Sequence, residues 1–231
     1  MRIVTWNCCR GPAAAKLALL GALAPSISIV QECPRPIETT PSCLWFGDNP
    51  RQGIAVTASD GYAIAPAELR DVPRYTVPIQ VTGPASFLLL VVWAKTDLHY
   101  RYVKGVIRAV ECYRDLIVQQ PTVVVGDFNS NTIWDHKRAN DQNHSALVRK
   151  LAALGLESAY HSFFGELHGA ETRPTFFLLK NQARPYHIDY CFIPRPWISL
   201  LQSVHIDTHD GWSKASDHRP LVIDLEMPRT V

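Results

Sequence analysis

The sequence predicts an α/β chain in which two β-sheets pack face to face and helices cover the outside. Three observations lead there. Strand-like runs are joined partly as hairpins and partly through helical crossovers. No linker, internal repeat or low-complexity stretch divides the 231 residues, so they read as a single domain, 1–231. The composition, 47% hydrophobic and 19% charged, is that of a globular chain able to bury a sizeable core.

Residues 2–6 (RIVTW) form a first strand, ending at Asn7. The stretch 13–24 (AAAKLALLGALA) has helical propensity and Pro25 stops it. A short buried strand over 28–31 ends at Glu32, and Pro34 and Pro36 then punctuate a loop. Residues 43–47, 53–58, 62–67, 75–81 and 86–94 read as strands separated by Gly, Pro and Asp. An amphipathic helix is expected over 102–118, with Val103, Val106, Ile107, Val110 and Ile117 at three- and four-residue spacing. The run Thr122-Val123-Val124-Val125 is a buried strand, and Gly126 is expected to turn the backbone where it ends. A second amphipathic helix, 141–154, points Leu147, Leu151 and Leu154 inward and stops at Gly155. Strands follow over 175–179, 186–193, 204–208 and 221–226.

Acidic and amide residues recur where apolar runs end: Asn7, Glu32, Asp127 with Asn129, Asp189 inside YHIDYCFI, and Asp217-His218 before RPLVIDL. Ligands in open α/β sheets tend to sit at the C-terminal ends of strands. A buried carboxylate such as Asp189 is costly unless paired or metal-bound. An acceptor-only carboxylate beside an amide donor suits a phosphate and its attacking water, though an Asp-Phe-Asn turn bonded to its own backbone would also explain Asp127 and Asn129. An aspartate next to a histidine offers a metal-side carboxylate and a titrating imidazole at one place.

Net charge is +2 and the basic residues are spread, so an anionic substrate is permitted and no long electropositive track for duplex nucleic acid is visible. The six cysteines form no CxxC pair and match no zinc spacing; they are expected to be reduced, with Cys8 and Cys33 beside site residues. Nothing is apolar enough over a sufficient length to span a membrane, no signal-peptide flanks are seen, and a cytoplasmic location with no obligate protein partner is expected.

The pieces Thr5-Trp6-Asn7, Gln31-Glu32, Gly53-Ile54-Ala55-Val56, Gly126-Asp127-Phe128-Asn129-Ser130, His187-Ile188-Asp189-Tyr190 and Ser216-Asp217-His218-Arg219-Pro220-Leu221 stand in the order found in the endonuclease/exonuclease/phosphatase superfamily. The chain resembles that superfamily from residue 5 to residue 221. The resemblance implies a DNase I-like, four-layer αββα sandwich of two mixed sheets with helices outside. It also implies hydrolysis of phosphate esters with Mg²⁺ or Mn²⁺. Glu32 would be the main metal ligand, with Asn7 and Asp217 close by. Asp127 would orient or deprotonate the attacking water, Asn129 would hold the scissile phosphate, and His218 would stabilise charge on the phosphoryl oxygen. Asp189 would fix the tautomer and charge of His218. A hard cation on oxygen ligands and a positioned water are what phosphoryl transfer needs.

The chain departs from the pattern in places. The Thr-His-Leu triplet of many members is replaced by Val91-Val92-Trp93-Ala94-Lys95, so Trp93 stands where a phosphate-contacting His or Tyr is usual. His99, Tyr100, Tyr102 and Lys95 are candidates to reach in instead. Pro34 replaces the Lys of abasic-site nucleases, and the tryptophan-aspartate-arginine signature of inositol phosphatases is missing around Asp189. Phe176, Tyr186 and Trp212 are candidate pocket aromatics, and Arg74, Arg173 and Arg219 candidate phosphate clamps. The leading expectation is a nuclease or phosphodiesterase acting on DNA or RNA. A phosphatase or phosphodiesterase on a small or lipid phosphate is the enzyme alternative, and a non-catalytic binding module on the same scaffold a third class.

Overall fold

The computed structural model describes residues 1–37, 42–68, 70–71, 75–96, 101–137 and 139–228. Arg74, His99 and Tyr100 lie outside them. The chain runs β1 (Arg2–Asn7), α1 (Ala13–Gly21), β2 (Ile27–Cys33), β3 (Cys43–Asn49), β4 (Gln52–Ala58), β5 (Ala63–Pro66), β6 (Thr76–Thr82) and β7 (Phe87–Trp93). Then come α2 (Val103–Cys112), α3 (Arg114–Gln119), β8 (Thr122–Asp127), α4 (His144–Ala153), β9 (Leu156–Ser158) and α5 (Ala159–Phe164). It closes with β10 (Phe176–Phe177), β11 (Pro185–Tyr186), β12 (Asp189–Pro194), β13 (Leu201–Ile206), α6 (His209–Trp212) and β14 (Leu221–Leu225).

Two six-stranded mixed sheets result, ordered β13-β14-β1-β2-β4-β3 and β5-β6-β7-β8-β12-β9. β1 and β2 run parallel in the first, β7 and β8 in the second. The period-two alternation of each strand then assigns its side chains to layers. Ile3, Ile27 and Ile29 from one sheet meet Leu89, Val91, Val123 and Val125 from the other in the central core. The alternate residues Leu88, Leu90, Val92 and Val124 face outward against Val106, Val110, Leu147 and Leu151 of α2 and α4. On the far side Val4, Trp6 and Val30 pack against Leu20 of α1 and against Trp212. The order is therefore helix, sheet, sheet, helix, which is the expected four-layer sandwich. No described helix is long and apolar enough to cross a membrane.

Three expectations are refined by tertiary contacts. The helix over 102–118 is two helices, broken at Tyr113 (φ −95°, ψ 10°), whose ring is fully buried. The strand over 186–193 is interrupted before Asp189, because the Thr175 hydroxyl takes the amides of Ile188 and Asp189 at 3.0 and 3.1 Å in place of a ladder partner. Gly126 does not turn the chain. It lies inside β8 at φ +144°, and a Cβ there would stand 1.9 Å from the Val92 carbonyl oxygen of the neighbouring strand. It is glycine because two backbones approach each other closely.

Candidate active site

Strand register brings the candidate residues to one end of the sandwich. Asp127 closes β8 and stands level with Trp93 of parallel β7 on one side and Asp189 of antiparallel β12 on the other. Asn7 and Glu32 end the adjacent parallel strands of the opposite sheet, where Asn7 pairs with Gln31. A bulge falls at Glu32, which adopts φ +55°. That conformation is uncommon for a non-glycine residue, and a bulge of this kind re-aims its side chain. Asn129 is held the same way, at φ +46°.

Asp127 is fully buried and tightly held. Its Oδ1 accepts the Asn129 amide N–H at 2.8 Å. Its Oδ2 accepts Asn7 Nδ2 at 3.0 Å and Asn129 Nδ2 at 2.9 Å. Asn129 Nδ2 also donates to Ala94 O at 2.9 Å, so one amide proton holds Asp127 and the other ties Asn129 to the residue that follows β7. Burial raises the Asp127 pKa, and the Asp189 carboxylate adds to it. His218 and the donated hydrogen bonds oppose them, and the result is about 7. A carboxyl group poised there can take a proton near neutral pH.

Asp189, also fully buried, accepts His218 Nδ1 at 2.9 Å. Burial alone would lower the His218 pKa; the charge and hydrogen bond of Asp189, with Asp127 and Asp217 nearby, outweigh it and raise it to about 9. The imidazolium is thus the resting form at neutral pH, with Nδ1 committed to Asp189 and Nε2–H left for a substrate oxygen. Ligand atoms of Asp127, Asp189 and His218 lie within 4.8 Å of one another. Thr175 supports this cluster from both sides, holding the Asp189 amide through its hydroxyl and the Arg219 amide through its carbonyl at 2.7 Å. Sequence reasoning missed Thr175; its one visible signal is a hydroxyl at the start of an otherwise apolar run.

The residues expected to hold a divalent cation sit beside this cluster. Asn7 Nδ2 bridges to Glu32 Oε1 at 3.3 Å as well as to Asp127, while its Oδ1 accepts the Cys9 amide at 3.0 Å. Glu32 Oε2 has only the exposed Arg10 guanidinium, at 3.6 Å, among the described residues. Asp217 is half-buried, with Ser216 Oγ 3.4 Å from its Oδ1. The donors are all oxygens and carry two carboxylates, which suits a hard cation that keeps several waters. As the structure stands, Asn7 bridges Glu32 and Asp127 through its side-chain nitrogen.

The remaining candidates divide. The Phe176 ring lies tilted 4.6 Å from the His218 ring and lines an open cleft of about 640 Å³ together with Tyr102, Asn129, Arg101 and Lys137. Tyr186 lies across from Phe176 in the β10–β11 ladder, and Trp134, which sequence reasoning missed, lines the cleft 5.2 Å from the Tyr186 ring. Trp134 sits on a short 3₁₀ segment, Thr132–Lys137, whose pattern gave no strand or helix period to reveal it. Trp93 instead belongs to the inter-sheet core, 3% exposed, edge-on to Tyr75 and covered by Lys95 Nζ at 4.2 Å. Trp212 is buried against Trp6, and its indole N–H reaches Asp207 Oδ2. Arg173 is paired with Glu166 at 2.8 Å and lies over Phe164. Arg219 is fully buried and donates to the carbonyls of Ser216 and His218 at 3.0 and 2.9 Å, so it shapes the 216–219 turn. The cysteines are free, and a hydrogen bond with the neighbouring Cys33 thiol, together with burial, raises the pKa of Cys8 far out of the reactive range.

This arrangement sits on a known fold. The chain is similar to a 3′ phosphatase, NExo from Neisseria, bound to product DNA hairpin (TM-score 0.71, 19% identity, 98% of this chain and 99% of that one). It is also similar to the endonuclease domain of TRAS1, a telomere-specific non-LTR retrotransposon (TM-score 0.69, 18% identity, 98% of each chain). A third similar structure is an AP endonuclease from Archaeoglobus fulgidus (TM-score 0.67, 16% identity, 98% of this chain and 99% of that one). No protein-family model and no curated protein sequence matches the chain. The fold is the DNase I-like sandwich of endonuclease/exonuclease/phosphatase-type proteins.

Proposed function

We propose that this chain is a divalent-metal-dependent phosphoesterase of the endonuclease/exonuclease/phosphatase superfamily and that it cleaves phosphodiester bonds in nucleic acid. The observation that carries the reading is the buried Asp127–Asp189–His218 cluster, a carboxyl group poised near pH 7 beside an imidazole that is charged at neutral pH. That combination supports the reading, since it would supply a base for a water and a charged donor for a phosphoryl oxygen within one site.

Asp127, clamped by Asn7 and Asn129, orients the attacking water and takes its proton. His218 donates from Nε2 to a non-bridging oxygen, and Asp189 keeps it charged and oriented. Asn129 fixes Asp127 and lines the cleft, and its side-chain amide would meet a phosphate by giving up its bond to Ala94 O. Glu32, with Asn7 and Asp217, would hold Mg²⁺ or Mn²⁺, which would supply positive charge to neutralise the scissile phosphate. Phe176 and Trp134 along the cleft offer faces for bases, each stack contributing roughly 1–3 kcal/mol, and Arg101 and Lys137 offer charge to a backbone.

A second reading is removal of a terminal 3′ phosphate from DNA. It is supported by the similar Neisseria protein, which is described both as a 3′ phosphatase and as a 3′–5′ exonuclease. The test compares wild type with Asp127→Ala on single-stranded DNA, duplex DNA, RNA, 3′-phosphorylated DNA and bis-para-nitrophenyl phosphate, with Mg²⁺ and with Mn²⁺. Metal-dependent shortening of a polymer, abolished by the substitution, is the expected result. Release of inorganic phosphate without chain cleavage selects the second reading. Full activity in Asp127→Ala defeats both.

A further inference from the structure

The phosphoesterase reading leaves one buried cation without a use. The buried residues of α1 are Lys16 and Leu20, four apart and therefore on one face. A lysine on the inward face is costly to bury, and an apolar side chain of similar length would fill the space without that cost. Lys16 is nevertheless only 9% exposed. Its Nζ donates to Cys8 O at 2.8 Å and to Ala215 O, and stands 5.4 Å from the centre of the Trp6 ring. Both acceptors are backbone carbonyls, so the ammonium is spent on holding two stretches of main chain.

Those two stretches carry candidate ligands of the divalent cation. Cys8 follows Asn7, which closes β1, and Ala215 stands two residues before Asp217 and three before His218. The segments are also stitched to each other directly. Ser216 Oγ donates to Asn7 O at 2.7 Å and accepts the His218 amide at 3.0 Å, and the Trp6 indole N–H donates to His218 O at 3.2 Å. Lys16 comes from outside both segments and bonds to each. The chain after Cys8 closes over its stem: Gly11 adopts φ +96°, and a Cβ there would stand 2.8 Å from Lys16 Cε.

We propose that Lys16 is a positioning residue for the divalent cation: its ammonium clips the end of β1 to the 215–217 segment and so sets the separation of the Asn7 and Asp217 side chains. This rests on the metal-dependent reading above. A charged lysine has no lone pair and is not itself a ligand. Hard cations demand oxygen donors at closely fixed distances, and these donors sit on segments that only tertiary contacts keep in register. The charge of Lys16 acts the other way, since an ammonium behind the site repels a second cation. The two effects predict opposite signs. Loss of the clip weakens cation binding, whereas loss of charge alone tightens it.

The full chain, stripped with a chelator and dialysed, is titrated with Mn²⁺, and free Mn²⁺ is counted by electron paramagnetic resonance. Lys16→Met, checked for folding by circular dichroism, should weaken Mn²⁺ binding by at least about tenfold. Lys16→Gln, whose amide still donates but reaches less far, should fall between the two, and it stands in where Lys16→Met does not fold. Val110→Ala, a truncation in the core under α2, should leave the affinity unchanged, which separates positioning from general destabilisation. With bis-para-nitrophenyl phosphate at saturating Mn²⁺, Lys16→Met should keep kcat within about threefold of wild type, while half-saturating Mn²⁺ rises as in the binding titration. Affinity unchanged or tightened in Lys16→Met, or in Lys16→Gln where it stands in, overturns the proposal, as does an equal loss in Val110→Ala. Wild type that binds no Mn²⁺ defeats the metal reading itself, and the proposal with it.

Discussion

Under the proposed function, replacing Asp189 by Asn should move the pH profile of phosphodiester hydrolysis rather than merely lower it. The carboxylate is fully buried 2.9 Å from His218 Nδ1 and is what lifts the imidazole to about 9 against its own desolvation. At pH 7.5 a histidine of pKa 9 is about 97% charged; at its ordinary value of about 6.5 the fraction is about 9%, and burial takes it lower. If only the charged form stabilises the phosphoryl oxygen, kcat/KM at pH 7.5 should fall by about tenfold or more. The alkaline limb of the profile should move from near 9 to about 6.5 or below. Asp189 also raises the Asp127 pKa, so its removal lets the acid limb move down as well. The assay is kcat/KM for bis-para-nitrophenyl phosphate from pH 5 to 10, with the His218 ring titrated by NMR in the wild type and the variant. A uniform loss at every pH, or an alkaline limb that stays near 9, would refute the assignment of His218 as a charged donor maintained by Asp189.

Metal-free protein should lose stability as pH rises. Asp127 and His218 both have folded-state values above their ordinary ones, about 7 and about 9. The proton on each is therefore held more tightly when folded: the stabilisation is complete below the ordinary value, fades between about 4 and 7 for Asp127 and between about 6.5 and 9 for His218. Calorimetry in chelator should show the thermal midpoint falling across both windows, with the upper fall missing in Asp189→Asn. Gly126→Ala should cost about 3 kcal/mol or more, since its Cβ meets the Val92 carbonyl oxygen at 1.9 Å and the backbone is at φ +144°; a urea midpoint close to wild type would contradict the close-approach argument. Phe176→Ala and Trp134→Ala should raise KM for oligonucleotide several-fold and leave bis-para-nitrophenyl phosphate almost unaffected, because each stack contributes roughly 1–3 kcal/mol only when a base is present. Trp93→Phe should retain kcat within about threefold and lose about 1 kcal/mol or more of stability, as a core residue would; a large loss of kcat at wild-type KM would return Trp93 to the catalytic site.

The sequence by itself determined the layer order. Alternation within runs such as FLLLVVW assigns one set of side chains to the inter-sheet core and the other to the helices, and the spacing of α2 and α4 supplies the surfaces that cover them. It also showed that Asn7, Glu32 and Asp127 stand where apolar runs end, because a polar residue closing an apolar run is a local signal; Asp189 it placed inside a strand and His218 just before the last one. What it left open is what depends on register and backbone distance. Only the pairing of β8 with β7 and β12 shows that Gly126 serves a close approach, and that Trp93, level with Asp127, nevertheless turns into the core. The roles of Thr175 and Trp134, the confinement of Trp212 and Arg219 to packing, and the reach of Lys16 to carbonyls of two separate segments follow from contacts between elements. Side-chain chemistry is written residue by residue, but pKa and ligation arise from what the fold brings within a few ångströms, and a linear pattern of apolar and polar positions does not carry that distance.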